Sequence, residues 1–532
     1  MKLNLPAGIV GTILFFIISA CTNPVEDIKI IIDGNVIKSS ALIRIVDPQQ
    51  PESVPANISL AIGGKDSAYV YEISGKKTFK VKDGMISIGL DPSRNVNESN
   101  PGECIISVSA PGYLAVNEVV SFTSQQSQQI ITINLIKAIN PPAGVSIVQK
   151  TVNLNSNTVG SPFSIETPLK NKKESVKASF SKGTAFMMDA KATEGKVLVL
   201  TLSHFDAHNP SSLQSFPGGF LSAGAKLPDG STGNINFSTG GFFQLQLTVD
   251  NHTVNATNAA FAMSATLDAQ LVNPLTNKTI APDDKIGLWY FQKATGKWTY
   301  LKDITLSLQG GKLMADFTAG QTGWYSLCWY KVSCLNTLQV NIVTPQSNAG
   351  NRYIAAFFNS SDFFPYYTCR LDLTNSNTSL NYKNLPQTTT RVRIFEFAAF
   401  DLWRNSGSGT SLPPVIAESP WIESCVDKPL TLTIPDIQTV EITLEFIGFC
   451  PANPNMDIRP SMYIFYRESG TSGYQYLGYM DKGKLVTKEL QLGKSYDFKS
   501  TYDGEVITVT RKMEQALLRE RVKLPESTCK GF

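Results

Sequence analysis

The chain has 532 residues, of which 47 are Lys or Arg and 44 are Asp or Glu, so its formal net charge is +3 at pH 7. Charged residues make up 17% of the chain, which is below the roughly 25% of an average soluble protein. With no long basic tract, this balance argues against an electrostatic surface for nucleic acid or a polybasic membrane patch. The length allows roughly three to five domains that each bury a core.

The first 21 residues form a distinct segment. A basic residue, Lys2, precedes the apolar stretch Ile9–Ile18, and small residues lead from there to Cys21. This pattern is typical of a secretory signal peptide, because the apolar stretch is too short to span a bilayer comfortably. An ordinary signal peptide with an incidental cysteine, or an uncleaved anchor, would share most of these features.

The segment resembles a bacterial lipoprotein signal peptide that ends in a lipobox. The resemblance implies that residues 1–20 are removed and that Cys21 is acylated, with palmitate-type chains, as a membrane anchor. Thr22 follows the cysteine where an Asp often signals inner-membrane retention, so an outer-membrane lipoprotein is favoured, either surface-exposed or facing the periplasm.

After a short tether at 21–27, a first β-rich module is predicted at 28–139. Short β-branched runs alternate there with turn clusters, which predicts a β-sandwich. The stretch Val108–Leu114, with its Ala-Pro-Gly-Tyr corner, resembles the end of the carboxypeptidase regulatory-like, transthyretin-type domain. That resemblance implies a seven-stranded spacer or adhesion module without catalysis.

The paired prolines Pro141 and Pro142 mark a linker, and a second β-rich module is predicted at 145–333. Two aromatic strands flank the turn Ala294–Lys297, which predicts a hairpin. This hairpin and the later Trp324 strand are similar to extracellular β domains of the cartilage intermediate layer protein type. The resemblance implies a β meander.

Two further β-rich modules are predicted, at 334–434 and at 435–532. In the last module Met513, Leu517 and Leu518 form an apolar stripe that predicts a short helix. The whole chain is therefore predicted to be mostly β, with tandem β-sandwich modules of immunoglobulin-like or transthyretin-like type. We expect these modules to form a rod.

Cysteines are concentrated after residue 327, where an oxidising envelope would allow disulfides. We expect Cys450 to pair with Cys529, because the two bracket the last module. Further bridges are expected among four cysteines, Cys328, Cys334, Cys369 and Cys425, but the sequence does not fix their connectivity.

The strongest candidate for metal chemistry is the segment His204–His208. Two imidazoles, His204 and His208, and the Asp206 carboxylate between them are a legitimate set of metal ligands. The segment leaves a strand and lacks the pattern of a metalloprotease helix. Loop histidines that only form hydrogen bonds are commoner, so no metal and no cofactor are predicted.

Aromatic residues crowd the third module. The segment Tyr353–Phe358 reads as a buried strand, whereas the loop that follows it is bounded by turn formers and is the better candidate for an exposed site. Flat rings stack on sugars and also anchor protein interfaces. The candidate binding residues are Phe363, Phe364, Tyr366, Tyr367 and Trp403.

Together these features predict a non-catalytic, lipid-anchored cell-envelope protein that binds or adheres to a glycan or protein partner, without nucleic acid. One alternative is an envelope hydrolase or metal-dependent enzyme that uses the His204/His208 loop. Another alternative is a purely structural envelope spacer.

Overall fold

The computed structural model describes most of the chain after the predicted tether. The described residues are 30–33, 37–50, 53–97, 99–124, 128–155, 157–169, 173–188, 191–193, 195–359, 364–373, 376–405, 411–426, 428–437, 439–451, 453–471, 473–502, 504–524 and 526–529. Strands dominate them and are distributed over many separate sheets. The prediction of a mostly β chain with tandem sandwich modules is confirmed. Cys21 and Phe363 lie outside the described residues.

The first module is a two-sheet sandwich. One sheet has four strands and the other has three, and their facing side chains enclose one apolar core. The four-stranded sheet contains β2 (Ser39–Val46), β4 (Val70–Glu72), β5 (Met85–Leu90) and β8 (Gln128–Asn134), and the three-stranded sheet contains β3 (Ser59–Gly63), β6 (Gly102–Ser109) and β7 (Val116–Phe122).

The second module is larger and pairs an eight-stranded sheet with a seven-stranded sheet. The larger sheet contains β9 (Val145–Asn153), β14 (Val197–Phe205), β15 (Leu221–Lys226), β16 (Thr232–Val249), β17 (His252–Val254), β21 (Lys285–Gln292), β22 (Lys297–Thr305) and β25 (Gly323–Val332). The smaller sheet contains β10 (Phe163–Glu166), β11 (Ser175–Phe180), β12 (Phe186–Met188), β13 (Lys191–Ala192), β18 (Ala256–Leu267), β23 (Ser307–Gln309) and β24 (Lys312–Gln321), and β19 (Val272–Asn273) pairs with β20 (Lys278–Thr279).

The aromatic hairpin of this module forms as predicted, with β21 antiparallel to β22. Its strands are apolar at successive positions because the eight-stranded sheet is covered on both faces. Leu288 and Tyr290 pack into the core between the two sheets, whereas Trp289 and Phe291 belong to a second apolar cluster on the opposite face.

The third and fourth modules are also two-sheet sandwiches. The third contains β26 (Leu338–Val343), β29 (Asn377–Tyr382) and β33 (Leu430–Thr433) in one sheet, and β27 (Arg352–Asn359), β28 (Tyr367–Asp372), β30 (Thr389–Glu396), β31 (Ala417–Glu418) and β32 (Ile422–Glu423) in the other. The fourth contains β34 (Ile442–Cys450), β35 (Asn453–Arg459), β38 (Lys484–Thr487) and β41 (Leu517–Lys523), facing β36 (Met462–Glu468), β37 (Gln475–Met480), β39 (Ser495–Tyr502) and β40 (Glu505–Lys512).

Helices are short throughout the described residues. They are two 3₁₀ turns, Ser67–Tyr69 and Gln346–Asn348, and three α-helices, Pro210–Leu213, Phe397–Asn405 and Glu526–Cys529. Among these residues, no helix is both long enough and apolar enough to cross a membrane.

The prediction of a helix around Met513, Leu517 and Leu518 is wrong. Leu517–Lys523 is instead a strand that runs parallel to β34, with Leu518 opposite Leu444. Its side chains alternate between exposed and half-buried, the period-2 pattern of an edge strand. Met513 precedes this strand and is buried in the core of the fourth module.

The first described strand, β1 (Ile30–Asp33), does not pair within the first module. It runs parallel to β35, with Ile30 opposite Met456 and Asp33 opposite Arg459. The chain therefore contributes an edge strand to the fourth module before it enters the first one.

The modules do not form a rod. A buried apolar cluster joins the first, third and fourth modules: Leu42, Ile73, Met85, Phe397, Tyr463, Phe465 and Tyr476. Arg44 of the first module lies 3.1 Å from Asp401 of the third, and its guanidinium lies 5.4 Å from the ring centroid of Phe465 in the fourth. The expected rod is wrong because these modules bury apolar side chains against one another.

Candidate functional site

A pocket of about 210 Å³ lies where the second module meets the third. Its lining combines the two segments that the sequence singled out, the histidine segment and the aromatic loop, although they lie in different modules. We call it the intermodule pocket, and its lining is Ala207, His208, Pro210, Leu213, Phe220, Phe237, Ser238, Thr239, Leu271, Val272, Pro274, Trp329, Phe364, Pro365 and Tyr366.

The second module forms one wall from paired strands and a helical turn. Ser238 on β16 lies opposite Trp329 on β25, and the register between these strands shifts just after Thr239. A bulge of this kind re-aims the side chains beside it. The neighbouring turn Pro210–Leu213 begins with proline, and the Asn209 side chain accepts a hydrogen bond from the Ser211 N–H, which is a regular helix start.

The third module forms the other wall through the residues just before β28. Phe364 is half-buried, and its ring stacks on Trp403 with centroids 5.6 Å apart. The Tyr366 N–H donates to the carbonyl of Phe357 at 2.9 Å, and its hydroxyl lies 2.6 Å from Oγ1 of Thr390. These contacts hold residues 364–366, the described end of the aromatic loop, against the sheet.

The structure separates the candidate binding residues into three groups. Phe364 and Tyr366 line the intermodule pocket, and Trp403 supports Phe364 from the helix Phe397–Asn405. Tyr367 packs against Phe357 and Tyr382 in the core, and burial raises the pKa of its hydroxyl to about 12. Tyr367 therefore stabilises the sandwich and does not face the pocket.

The structure also separates the two histidines of the segment His204–His208. His204 is buried at the end of β14, and Glu174, just before β11, is buried beside it. Nε2 of His204 lies 3.8 Å from Oε2 of Glu174, and its Nδ1 lies 3.6 Å from Oδ1 of Asp206. His208 is exposed and lies in the pocket lining instead. The three candidate ligands of the sequence are thus not brought together, and the group that lies close in space is Glu174, His204 and Asp206.

The arrangement at His204 is that of an imidazole held between two carboxylates. One ligand atom from each of Glu174, His204 and Asp206 can be chosen so that all three lie within 4.8 Å of one another. These contacts tie the end of β14 to Glu174 and Asp206, and we call the three side chains the His204 clamp. The same arrangement is compatible with a metal ion, since a metal-bound imidazole commonly keeps a carboxylate at its other nitrogen.

Gly241 is required for this clamp. Its φ is +116°, a conformation that residues with a side chain rarely adopt. A Cβ at this position would lie 3.2 Å from Nε2 of His204 and 3.5 Å from Oε2 of Glu174. The backbone of β16 therefore reaches the clamp only because residue 241 is glycine.

Among the described residues, the cysteines form two disulfides, Cys450–Cys529 and Cys334–Cys425. The first pairing was predicted, and the second was among the bridges left open. Cys328 and Cys369 remain thiols, which corrects the expectation that both are bridged. Cys328 lies on a strand inside the second module, and burial raises its thiol pKa to about 12. Burial likewise raises the pKa of the Cys369 thiol to about 11.

Several site residues had no signal in the sequence. Trp329 falls on a predicted strand, and no pattern marked Phe237, Leu271 or Trp329 as a site residue. They reach the pocket through strand pairing and module packing, which join residues that are distant in the chain. Glu174 could have been suspected only as an acidic residue at the start of a buried strand.

The fold and the pocket define a multi-module β-sandwich protein with a small site between two modules. No protein family and no curated protein matches the chain. Among solved structures, a streptococcal ancillary pilin is similar at 10% identity over 48% of this chain and 94% of its own, with a TM-score of 0.14. The major pilin subunit BcpA of Bacillus cereus is similar at 8% identity over 91% of this chain and 98% of its own, also with a TM-score of 0.14.

A third similar structure is the pilus adhesin SpaC from Lactobacillus rhamnosus GG, in the open conformation. It is 11% identical over 72% of this chain and 56% of its own, with a TM-score of 0.12.

Proposed function

We propose that this chain is a non-catalytic, lipid-anchored protein of the cell envelope that binds a glycan or protein partner in the intermodule pocket. The observation that carries the binding role is the convergence of Phe364 and Tyr366 with Phe237 and Trp329 in one concave site. A concave site lined by aromatic rings with a few polar groups is the usual form of a binding site. The anchoring role rests on the lipobox-like segment that ends at Cys21.

The anchor is tested by fatty-acid labelling and fractionation of cells that express the full chain. Wild-type protein should incorporate an alkyne-tagged palmitate analogue and stay with the membranes. A Cys21→Ser variant should lose the label. If the variant keeps the label, the lipidation part of the proposal fails.

Protease treatment of intact and lysed cells then distinguishes a protein exposed outside the cell from one that faces the periplasm. Cleavage on intact cells would support a role outside the cell. Protection until lysis would restrict the partner to the periplasm.

The binding role is tested by screening the purified chain against glycan and peptide libraries beside a variant with a filled pocket. Val272 is suitable for the variant, because it lines the pocket and is 43% exposed, so that Val272→Trp adds bulk without disturbing a core. Leu308→Trp is the matched control, since Leu308 is 62% exposed on another strand of the same module. Ligands that bind the wild type and the control but not Val272→Trp would support the proposal. If every ligand binds all three proteins equally, the ligand site lies outside the pocket. If no ligand binds the wild type, the spacer alternative is favoured.

A metal-dependent enzyme is the second candidate, favoured by the approach of Glu174, His204 and Asp206 within 4.8 Å. Metal content of the purified chain, measured beside a His204→Gln variant, tests it. Stoichiometric metal in the wild type that is lost in the variant would favour this candidate. Equal and substoichiometric metal content in the wild type and the variant would argue against a metal-dependent enzyme.

A further inference from the structure

The described lining of the intermodule pocket holds no acidic residue, lysine or arginine, and one histidine. Among the described residues that line it, none is Asp, Glu, Lys or Arg, and the polar side chains are His208, Ser238, Thr239 and Tyr366 with the indole of Trp329. A carboxylate, phosphate or ammonium group that entered would lose its hydration without gaining an opposite charge. The site therefore selects against charged ligands.

Most of these polar groups are already used within the protein. The Tyr366 hydroxyl bonds with Thr390, and the indole N–H of Trp329 donates to the carbonyl of Lys285 at 3.2 Å. Oγ1 of Thr239 accepts from the N–H of Gly241 at 3.0 Å. A sugar ring carries several hydroxyl groups that each need a partner when buried, and this lining offers few.

The apolar part of the lining suits an apolar ring. Phe220, Phe237 and Trp329 from the second module face a volume that Phe364 and Pro365 close from the third. The volume, about 210 Å³, lies below the roughly 300–1,000 Å³ of sites for drug-sized ligands. A pocket of this size accommodates one large side chain rather than a chain of sugar units.

The stacking on Trp403 fixes one wall before any ligand binds. Trp403 itself contacts Phe400 at 5.2 Å between centroids, and Phe400 contacts Phe395 at 5.1 Å. Phe364 is thus the end of a row of packed rings that runs into the third module. Pre-ordered aromatic walls of this kind receive the anchor side chains of protein partners.

We infer that the intermodule pocket binds one uncharged apolar side chain, aromatic by preference, of a polypeptide partner. This inference rests on the proposed function, in which the pocket is the binding site, and it assigns the partner to the polypeptide class.

The test uses small probes and the full chain without its signal segment. N-acetyl-tryptophanamide and N-acetyl-phenylalaninamide represent the anchor side chain, N-acetyl-lysinamide represents a charged one, and methyl β-glucoside and N-acetylglucosamine represent sugars. Binding is measured by ligand-observed NMR and by calorimetric titration. We expect the two aromatic probes to bind and the lysine and sugar probes not to bind. We expect Val272→Trp to weaken aromatic-probe binding at least tenfold and Leu308→Trp to leave it unchanged.

Each other outcome overturns the inference in a recognisable way. Sugar binding that Val272→Trp abolishes would overturn the polypeptide assignment and leave the proposed binding function standing. Aromatic binding that is equal in both Trp variants would place the ligand elsewhere. If no probe binds the folded wild-type protein, the inference fails, whereas the binding role is decided separately by the glycan and peptide libraries.

Discussion

The rings of Phe364 and Trp403 stack with centroids 5.6 Å apart and planes inclined by 30°. Phe364 precedes β28, whereas Trp403 lies on the helix Phe397–Asn405. The contact couples the wall of the intermodule pocket to a helix that also reaches the fourth module, because Phe397 packs against Tyr476 at 5.9 Å between centroids.

Replacing Trp403 by Ala should weaken binding at the pocket without removing any lining atom. An aromatic pair contributes about 0.5–1.5 kcal/mol beyond area burial, so the loss of affinity should be roughly two- to tenfold. Trp403→Phe should restore most of it, since a ring remains beneath Phe364. The measurement is calorimetric titration with N-acetyl-tryptophanamide.

Trp421→Ala is the control for this effect. Trp421 is 41% exposed in the same module and lies outside the pocket lining, with the guanidinium of Arg391 4.6 Å from its ring centroid. Equal losses in the Trp403 and Trp421 variants would contradict a specific supporting role for Trp403.

Replacing Gly241 by Ala should destabilise the second module. The added Cβ would meet His204 and Glu174, and the backbone would have to hold φ near +116° with a side chain present. Such strain costs on the order of 1–3 kcal/mol. Chemical denaturation followed by tryptophan fluorescence measures the change in the free energy of unfolding.

Gly320→Ala is the comparison, because nothing lies within 4 Å of a Cβ built at residue 320. It should change the free energy of unfolding much less. If the two variants are equally stable, close packing around His204 is not what position 241 requires.

Removing the Cys450–Cys529 disulfide should destabilise the fourth module. The bond joins β34 to the short helix Glu526–Cys529 across a sequence separation of 79. A disulfide typically contributes about 2–4 kcal/mol to stability, chiefly by constraining the unfolded chain. The Cys450→Ser/Cys529→Ser double variant should therefore unfold at lower denaturant concentration.

Cys369→Ser is the matched control, since Cys369 is a thiol in the third module. Its Sγ lies 3.3 Å from the Tyr382 hydroxyl, so its loss should cost only a local hydrogen bond. A denaturation midpoint that falls as much for Cys369→Ser as for the double variant would argue against the cross-link as the cause.

Local patterns in the sequence foretold local structure well. The hairpin around Ala294–Lys297 could be predicted because its turn and both strands are contiguous. The pairing of Cys450 with Cys529 could be predicted because the two cysteines bracket one module. The helix assigned near Leu517 failed because apolar residues at 513, 517 and 518 also fit an edge strand, and tertiary pairing with β34 decided between them.

Long-range features could not be foretold in the same way. Phe364 and Trp329 line the same pocket because two modules pack together, and neither local sequence specifies that packing. Similarly, no sequence pattern indicated that Asp401 forms an ion pair with Arg44 of the first module. The sequence therefore indicated the histidine segment and the aromatic loop as candidate site segments, but not that they line one pocket. It likewise indicated the modules, but not the contacts between them.

Glu118 makes the stability of the chain depend on pH. It lies on β7 at a small cavity of about 30 Å³ between the first and second modules, beside Asn134, Gln214 and Ser215. Burial raises the pKa of its carboxyl from 4.5 to about 7, although the charge of Arg404 acts in the opposite direction. Between these two values the folded chain holds a proton that the unfolded chain has released, so the free energy of unfolding falls as pH rises from about 4.5 to about 7.

Glu118→Gln should remove this contribution, because an amide does not titrate. The melting temperature of the variant, measured at about pH 5 and about pH 8, should fall less than that of the wild type across the interval. Glu514→Gln is the control, since the Glu514 side chain is 76% exposed and should leave the wild-type dependence intact. If Glu118→Gln shows the wild-type fall in full, then the junction between the first two modules does not hold a neutral carboxyl, and other groups cause the pH dependence.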